Sequence, residues 1–389
     1  MRFFKRPYSG KRTGTEAEAG EAPAGEKKRS VFGIIRAWWR EVHKALKITI
    51  MIIIGLLAAS LGLLIIFLVG KSMLYQQPGD NNIQINQPSP SGTVPSVSPL
   101  PTPSGTVPSV RPSPDHGYVK REGVYTFLLA GSNQGLTDTL MVATLDTKAG
   151  TCHMLSIPRD TAVASAPRSL KKINGAYSQR SGIDEEDQGI TNLKKEIATL
   201  IGYQPEYAAV VDYNGFKRLI QAIDGIDFNV PMRMYLPSEG INLQKGEQHL
   251  NADEALQVVR FRVGVNGAGY DDYGRMETQQ KLLGAVINKA LANWTKFPEY
   301  IDIARENVKS DIDWSNILWF ADQVRKIGMD NVQFSTLPTV SVVNPAELDY
   351  MYYEMVLSEE ALTVINDTIN PFGIPIREEL VEHMKLTEK

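Results

Sequence analysis

VYTFLLAGSNQGLTDTLMVATLDTKAGTCHMLSIPRD, from Val124 to Asp160, is three apolar runs laid end to end with polar turns between them. Each run has the length of a buried strand. The first turn carries Asp138. The last run stops at Pro158, since proline cannot continue a sheet ladder, and Arg159 and Asp160 stand just beyond it. Strands that end on a carboxylate and a guanidinium suit an anionic ligand, because ligands of α/β sheets collect beyond strand ends. Taken alone, the segment reads more simply as a surface Arg–Asp pair of little consequence.

Outward from this stretch, further strands are expected at 207–212, 226–230, 331–337 and 351–357. Helices are expected at 191–201, 214–223, 252–262, 275–294, 314–327 and 358–368. Strands and helices interleave, which predicts an α/β fold with a central mixed sheet, partly antiparallel because the opening strands are joined by short turns. The globular pattern holds over 118–373, read as one domain, with 161–189 irregular inside it. The charged tail, 374–389, is expected to fray from Arg377.

The N-terminal part has a different composition. Residues 1–47 carry 12 Lys and Arg against five Glu, a net +7, leaving −10 on the remainder of a chain whose total is −3. An acidic body argues against nucleic acid as its partner. Within 31–47, apolar and basic positions alternate at helical spacing, which suits an interfacial helix or the juxtamembrane turn of the next one. Ile48 to Gly70 is uncharged for 23 residues. At 1.5 Å per residue it spans ~35 Å, enough for a single transmembrane helix. Both apolar run and basic region are long for a cleaved signal peptide, and no small-residue cleavage site follows. The basic flank puts the N-terminus in the cytoplasm and the body outside. Residues 71–117 hold ten prolines and repeat PSGTVPSV at 90–97 and 103–110, the composition of an extended extracytoplasmic stalk. The one cysteine, Cys152, lies in an apolar run and reads as a buried thiol. The five histidines show no zinc-ligand spacing.

Two further segments bring cations. In NADEALQVVRFRV, 251–263, Asn251 and Glu254 form a capping-box pattern, and Arg260 and Arg262 fall at the helix end, where the helix dipole alone is reason enough for them. The next helix is expected to open on Arg275, after the glycine-rich GVNGAGYDDYG, with Gln279 one turn later on the same face. A cation at the positive end of a helix opposes the dipole unless an anion binds between them. Two arginine clusters flanking a glycine loop look like a phosphate or pyrophosphate clamp.

Together with KINGAY (172–177), YAAVVDYNGFKRLIQAIDGIDFNV (207–230), LNADEALQVVRFR (250–262) and YGRMETQQ (273–280), the opening stretch resembles, in order and spacing, the LytR-CpsA-Psr family of Gram-positive envelope proteins. The likeness covers about 120–370. It implies a three-layer α/β/α sandwich with an apolar tunnel for a polyprenyl chain. It also implies transfer of a glycopolymer from a polyprenyl-diphosphate carrier to peptidoglycan. On the family's pattern Asp138 helps to hold Mg²⁺, Arg159, Arg260, Arg262 and Arg275 surround the diphosphate, and Gln279 is their neighbour. Phosphoryl transfer needs positioning and charge neutralisation more than covalent machinery, which arginines and a metal supply. The chain departs from the pattern at Asn133, where an aspartate is usual, and at Leu136 and Thr278, where arginines are. A non-catalytic polyprenyl-phosphate binder or scaffold is the alternative these departures motivate. Transcriptional regulation would need a DNA-binding motif, and none is present.

Overall fold

Strand β1 (Val124–Asn133) is antiparallel to β2 (Leu136–Asp146), which is antiparallel to β3 (Thr151–Ser156). On the far side of β1 lies β4 (Tyr207–Asp212), parallel to it, and β10 (Val332–Thr336) runs parallel to β3. With β9 (Val308–Ser310) antiparallel to β4, the sheet is mixed and ordered β10-β3-β2-β1-β4-β9. This computed structural model describes residues 76–79, 83–86, 117–163, 171–177, 186–262, 269, 272–343 and 352–384, all within one unit, Gly70–Lys389. The expected cytoplasmic segment 1–47, the transmembrane span 48–70, most of the stalk and most of the glycine-rich loop lie outside the described residues. No helix among the described residues is long and apolar enough to cross a membrane.

Period-two alternation sends the central strands' side chains to two cores. Leu128, Ala130, Leu140, Val142 and Leu155 pack on one face with Leu193 and Ile197 of α1 (Glu186–Ile201) and Ala361 and Ile365 of α7 (Ser358–Thr368). Tyr125, Met141, Ala143, Leu145 and Met154 face the other way, against Trp319 and Phe320 of α6 (Trp314–Ile327). Edge-to-face pairs hold this second core, with Tyr125 5.3 Å from Trp319 and Phe127 4.9 Å from Phe320. Helices on both faces give the expected three layers. Cys152 is buried in the second core, which pushes its thiol up to about 12. A third core forms where β5 (Ile226–Val230) and β8 (Gly246–Leu250) meet α2 (Tyr213–Ala222), α3 (Ala252–Arg260) and α4 (Asp272–Ala292).

Most expected elements occur, and several were not expected. β2 begins at Leu136, so Asp138 lies in a strand and not in a turn. The short pairs β6 (Met234–Leu236) with β7 (Ile241–Leu243) and β11 (Thr339–Val343) with β12 (Tyr352–Val356) add small ribbons. Helix α5 (Phe297–Asn307) opens with proline at its start.

The two ends of the body differ more. Ile83 and Ile85, inside the expected stalk, pack on the first core, and Ile85 bridges to Tyr203. The tail does not fray at Arg377. Ile376 and Leu380 are 1% exposed, and Glu382 N–H donates to Thr199 O at 2.7 Å. A few apolar side chains thus pin a segment whose composition reads as solvated.

His383 completes this latch, its Nε2 2.8 Å from Leu200 O, while its buried Nδ1 makes no hydrogen bond. Burial holds its pKa below the ordinary value of 6.5. The folded tail therefore prefers neutral His383. Its contribution is complete above pH 6.5 and is lost as pH falls below it, where the detached tail takes up the proton. Amide exchange over 376–384, corrected for the intrinsic rate, should be faster at pH 5.5 than at pH 7.5 by up to about tenfold. His383→Gln should remove the difference. Equal protection at both pH values in the parent protein would show that His383 does not hold the tail.

Candidate active site

The hairpin joining β1 to β2 turns through Gln134 and Gly135, at φ 50° and 82°. These left-handed values match a tight two-residue turn, which glycine adopts freely and glutamine does not. Just inside it the register slips: Gly131 pairs with Thr139 and Ser132 with Thr137, leaving Asp138 as the extra residue of a β-bulge. A bulge re-aims a side chain, and here it directs a carboxylate beyond the sheet's end.

Two groups meet that carboxylate. Arg159 Nη1 donates to Asp138 Oδ1 at 2.5 Å, and the Tyr213 hydroxyl donates to Oδ2 at 2.9 Å. Arg159 is positioned by the turn that Pro158 forces after β3, where Thr161 N–H and hydroxyl both return to Pro158 O. Asp160 stands behind it, 3.6 Å from Arg159 Nε and 3.0 Å from Lys172 Nζ. Tyr213 is the first residue of α2, just after the N-cap Asp212. Burial first, then the charge and hydrogen bond of Asp138, push its phenol above the ordinary range, so it remains a donor.

The other arginines come from the two helices expected to carry them. The Asn251–Glu254 capping box is formed and starts α3. The helix stops at Arg260, where Phe261 turns extended and buries its ring. Arg262, the next residue, is exposed. Helix α4 begins three residues before Arg275, which places that buried guanidinium in the first turn, at the positive end. Asp138, Arg159, Arg260, Arg262 and Arg275 line one cavity of about 280 Å³ with Asn133, Gln134, Leu136, Tyr213, Glu239 and Val259. Four guanidiniums against Asp138 and Glu239 leave a formal excess of +2, since arginine stays charged.

Gln279 is placed elsewhere. It is buried, donates to Val259 O at 3.3 Å and lines a separate apolar cavity of about 310 Å³. Leu129, Met141 and Val211 of the sheet and Leu282, Leu283 and Val286 of α4 line that cavity too. Val259 belongs to the walls of both cavities, so the apolar space adjoins the arginine pocket. Gln279 thus braces α4 against the last turn of α3.

Tyr213 and Glu239 were not among the expected site residues. The parallel pairing of β4 with β1 brings Tyr213 to the same strand end as Asp138. That it directly follows strand 207–212 was the available signal. Glu239 sits in a 3₁₀ turn between β6 and β7, and its Oε2 lies 3.2 Å from Arg260 Nη2. Both partners are substantially exposed, so the pair is worth about 1 kcal/mol at most. Glu239→Gln should therefore tighten the binding of inorganic diphosphate by about two- to fivefold in calorimetry, by removing a competing carboxylate. Weaker binding would instead make Glu239 part of the recognition.

For a metal ion the donor set is small. Asp138, already paired with Arg159 and Tyr213, has only its remaining lone pairs to offer, and Asn133 beside it carries an amide oxygen. Among the described residues no three His, Cys, Asp or Glu side chains converge. Mg²⁺ at this place would need the substrate's own phosphate oxygens and water as its further donors.

A family model, that of the LytR_cpsA_psr family, matches residues 112–368. The polyisoprenyl-teichoic acid–peptidoglycan teichoic acid transferase TagV of Bacillus subtilis is 36% identical over 189 residues, covering 46% of this chain and 46% of TagV. The regulatory protein MsrR of Staphylococcus aureus is 30% identical over 233 residues, 57% of this chain and 67% of MsrR. The matched part thus spans about half of TagV and two thirds of MsrR. The crystal structure of B. subtilis TagV is 26% identical and aligns with a TM-score of 0.53 over 64% of this chain and 96% of that one. With the arginine pocket, the bulged Asp138 and the adjoining apolar cavity in the matched region, the chain belongs to the LytR_cpsA_psr family.

Proposed function

We propose that this protein moves a glycopolymer from a polyprenyl-diphosphate carrier to a hydroxyl of peptidoglycan. One observation carries the reading: a pocket with a formal +2 excess shares a wall with an apolar cavity. Together they suit a molecule with an anionic head and a hydrocarbon tail. The family and the activity named for TagV support it. The acceptor oxygen attacks the phosphorus nearest the glycan, forming a phosphodiester. The bond from that phosphorus to the bridging oxygen breaks, and polyprenyl phosphate leaves. The acceptor's proton passes to solvent. Arg159, Arg260, Arg262 and Arg275 hold the diphosphate and offset the charge on the departing phosphate. Asp138 and Tyr213 fix Arg159 at the strand end. When bound, Mg²⁺ would be held by Asp138 and would supply further charge neutralisation.

In this reading the span 48–70 anchors the chain as a single-pass membrane protein. Residues 1–47 lie in the cytoplasm, and the proline-rich segment carries the body outside. The test is transfer from a lipid-linked glycan to peptidoglycan by the purified full-length protein, with and without Mg²⁺. Product that depends on the protein supports the reading, and no product with any lipid-linked glycan sinks it. The second reading, a non-catalytic lipid-phosphate binder, is favoured by Asn133, Leu136 and Thr278 standing where the family usually has charged groups. Bound polyprenyl phosphate without turnover would select it.

A further inference from the structure

A cavity of about 840 Å³ lies beside the site just described. Side-chain alternation at the strand ends links the two. On β1, Ser132 lines the large cavity and Asn133 the arginine pocket. At the end of β4, Asp212 lines the large cavity, and Tyr213, the next residue, the arginine pocket. Gln134, at the hairpin tip, belongs to both. β4 separates the large cavity from the apolar one, since Val210 faces the former and Ala209 and Val211 the latter, and the two meet at the sheet's edge, where Val308 of β9 lines both. The diphosphate pocket therefore stands at the rim where an apolar space and a polar groove meet.

The groove's chemistry differs from that of its neighbour. Trp314 and Tyr177 present aromatic surface, and the Arg305 guanidinium lies 5.9 Å from the Trp314 ring centroid. Arg305 and Lys309 are matched by Asp212 and Glu306, so the charged lining is formally balanced. A polyanion gains nothing from such a surface. A polyhydroxylated ligand does, because ring faces take its C–H surface and the amides and charged groups take its hydroxyls.

We propose that this groove is the subsite for an uncharged amino-sugar chain, the acceptor glycan, whose hydroxyl reaches the diphosphate past Gln134. The inference rests on the transferase reading for its purpose, but its binding is measurable without turnover. The donor's own polymer could also reach the groove, so the test has two arms. The full-length protein is titrated with a β-1,4-linked N-acetylglucosamine tetramer and, separately, with a poly(glycerol phosphate) oligomer. The tetramer should bind. Trp314→Ala should raise its Kd at least about fivefold, and Arg305→Gln, at an exposed position, should do so without disturbing the fold. Inorganic diphosphate affinity should be unchanged in both variants, which also reports correct folding.

The proposal is overturned if neither variant weakens the tetramer, or if the phosphate polymer is the ligand that both variants lose. If the tetramer binds in a Trp314-dependent way and no transfer occurs, the groove stands and the transferase reading falls. If transfer proceeds with the same acceptor KM in both variants, the groove falls alone.

Discussion

Arg159→Ala should lower glycan transfer by about 10² to 10³-fold, the loss typical when one group aimed at developing charge is removed. Arg159 contacts two carboxylates, Asp138 at 2.5 Å and Asp160 at 3.6 Å. Its side chain is 18% exposed, so its charge is only partly screened. Without it, Asp138 keeps the Tyr213 hydroxyl but loses this guanidinium, and its negative charge then opposes the diphosphate. Arg159→Lys should be nearly as poor, because a compact ammonium lacks the rigid planar fork that lets one guanidinium face Asp138 and the ligand at once. Fold loss would mimic the effect, so diphosphate titration and thermal unfolding accompany the transfer assay. A stable Arg159→Ala protein with near-normal turnover would remove Arg159 from the mechanism and with it most of the case for this pocket.

Much of this architecture is legible in the sequence, for identifiable reasons. β1, β2 and β3 alternate apolar side chains over two cores, and α3 carries a capping box, so local chemistry and tertiary packing agree there. What escapes is set by pairing. The slip that makes Asp138 a bulge exists only between two strands and leaves no mark in either one's periodicity. Tyr213 reaches Asp138 through the parallel pairing of β1 with β4, 75 positions away in the chain. Glu239 comes from a three-residue turn that a sequence pattern cannot aim. Gln279 shows the opposite failure. Its helical spacing from Arg275 is as expected, yet the neighbouring α3 decides that its amide meets Val259 O instead of the arginine pocket. The tail's charged composition predicts fraying, but a few anchoring side chains, Ile376 and Leu380 above all, outweigh it.

Val286→Trp should weaken binding of the carrier lipid roughly fiftyfold while leaving the arginine pocket intact. Val286 lies on α4, about three turns after Arg275, on the wall of the apolar cavity. That cavity's volume of about 310 Å³ has room for only part of a long prenyl chain. Ten buried carbons would contribute on the order of 8 kcal/mol at ~0.8 kcal/mol each, which corresponds to a Kd of about 1 μM before any contribution from the headgroup. An indole ring in the same space displaces several of those carbons. Losing three of them costs about 2.4 kcal/mol, or roughly fiftyfold in Kd. Lipid extracted from the purified variant should fall accordingly, and transfer should fall with it. Inorganic diphosphate should bind as before, because no arginine has moved. Thermal stability should hold or rise, since filling an apolar void restores dispersion contacts that its lining lacks. Val286→Met, a smaller and more flexible filler, should show a partial loss. If Val286→Trp keeps its lipid, the hydrocarbon lies elsewhere, and the shared wall at Val259 no longer connects this cavity to the chemistry.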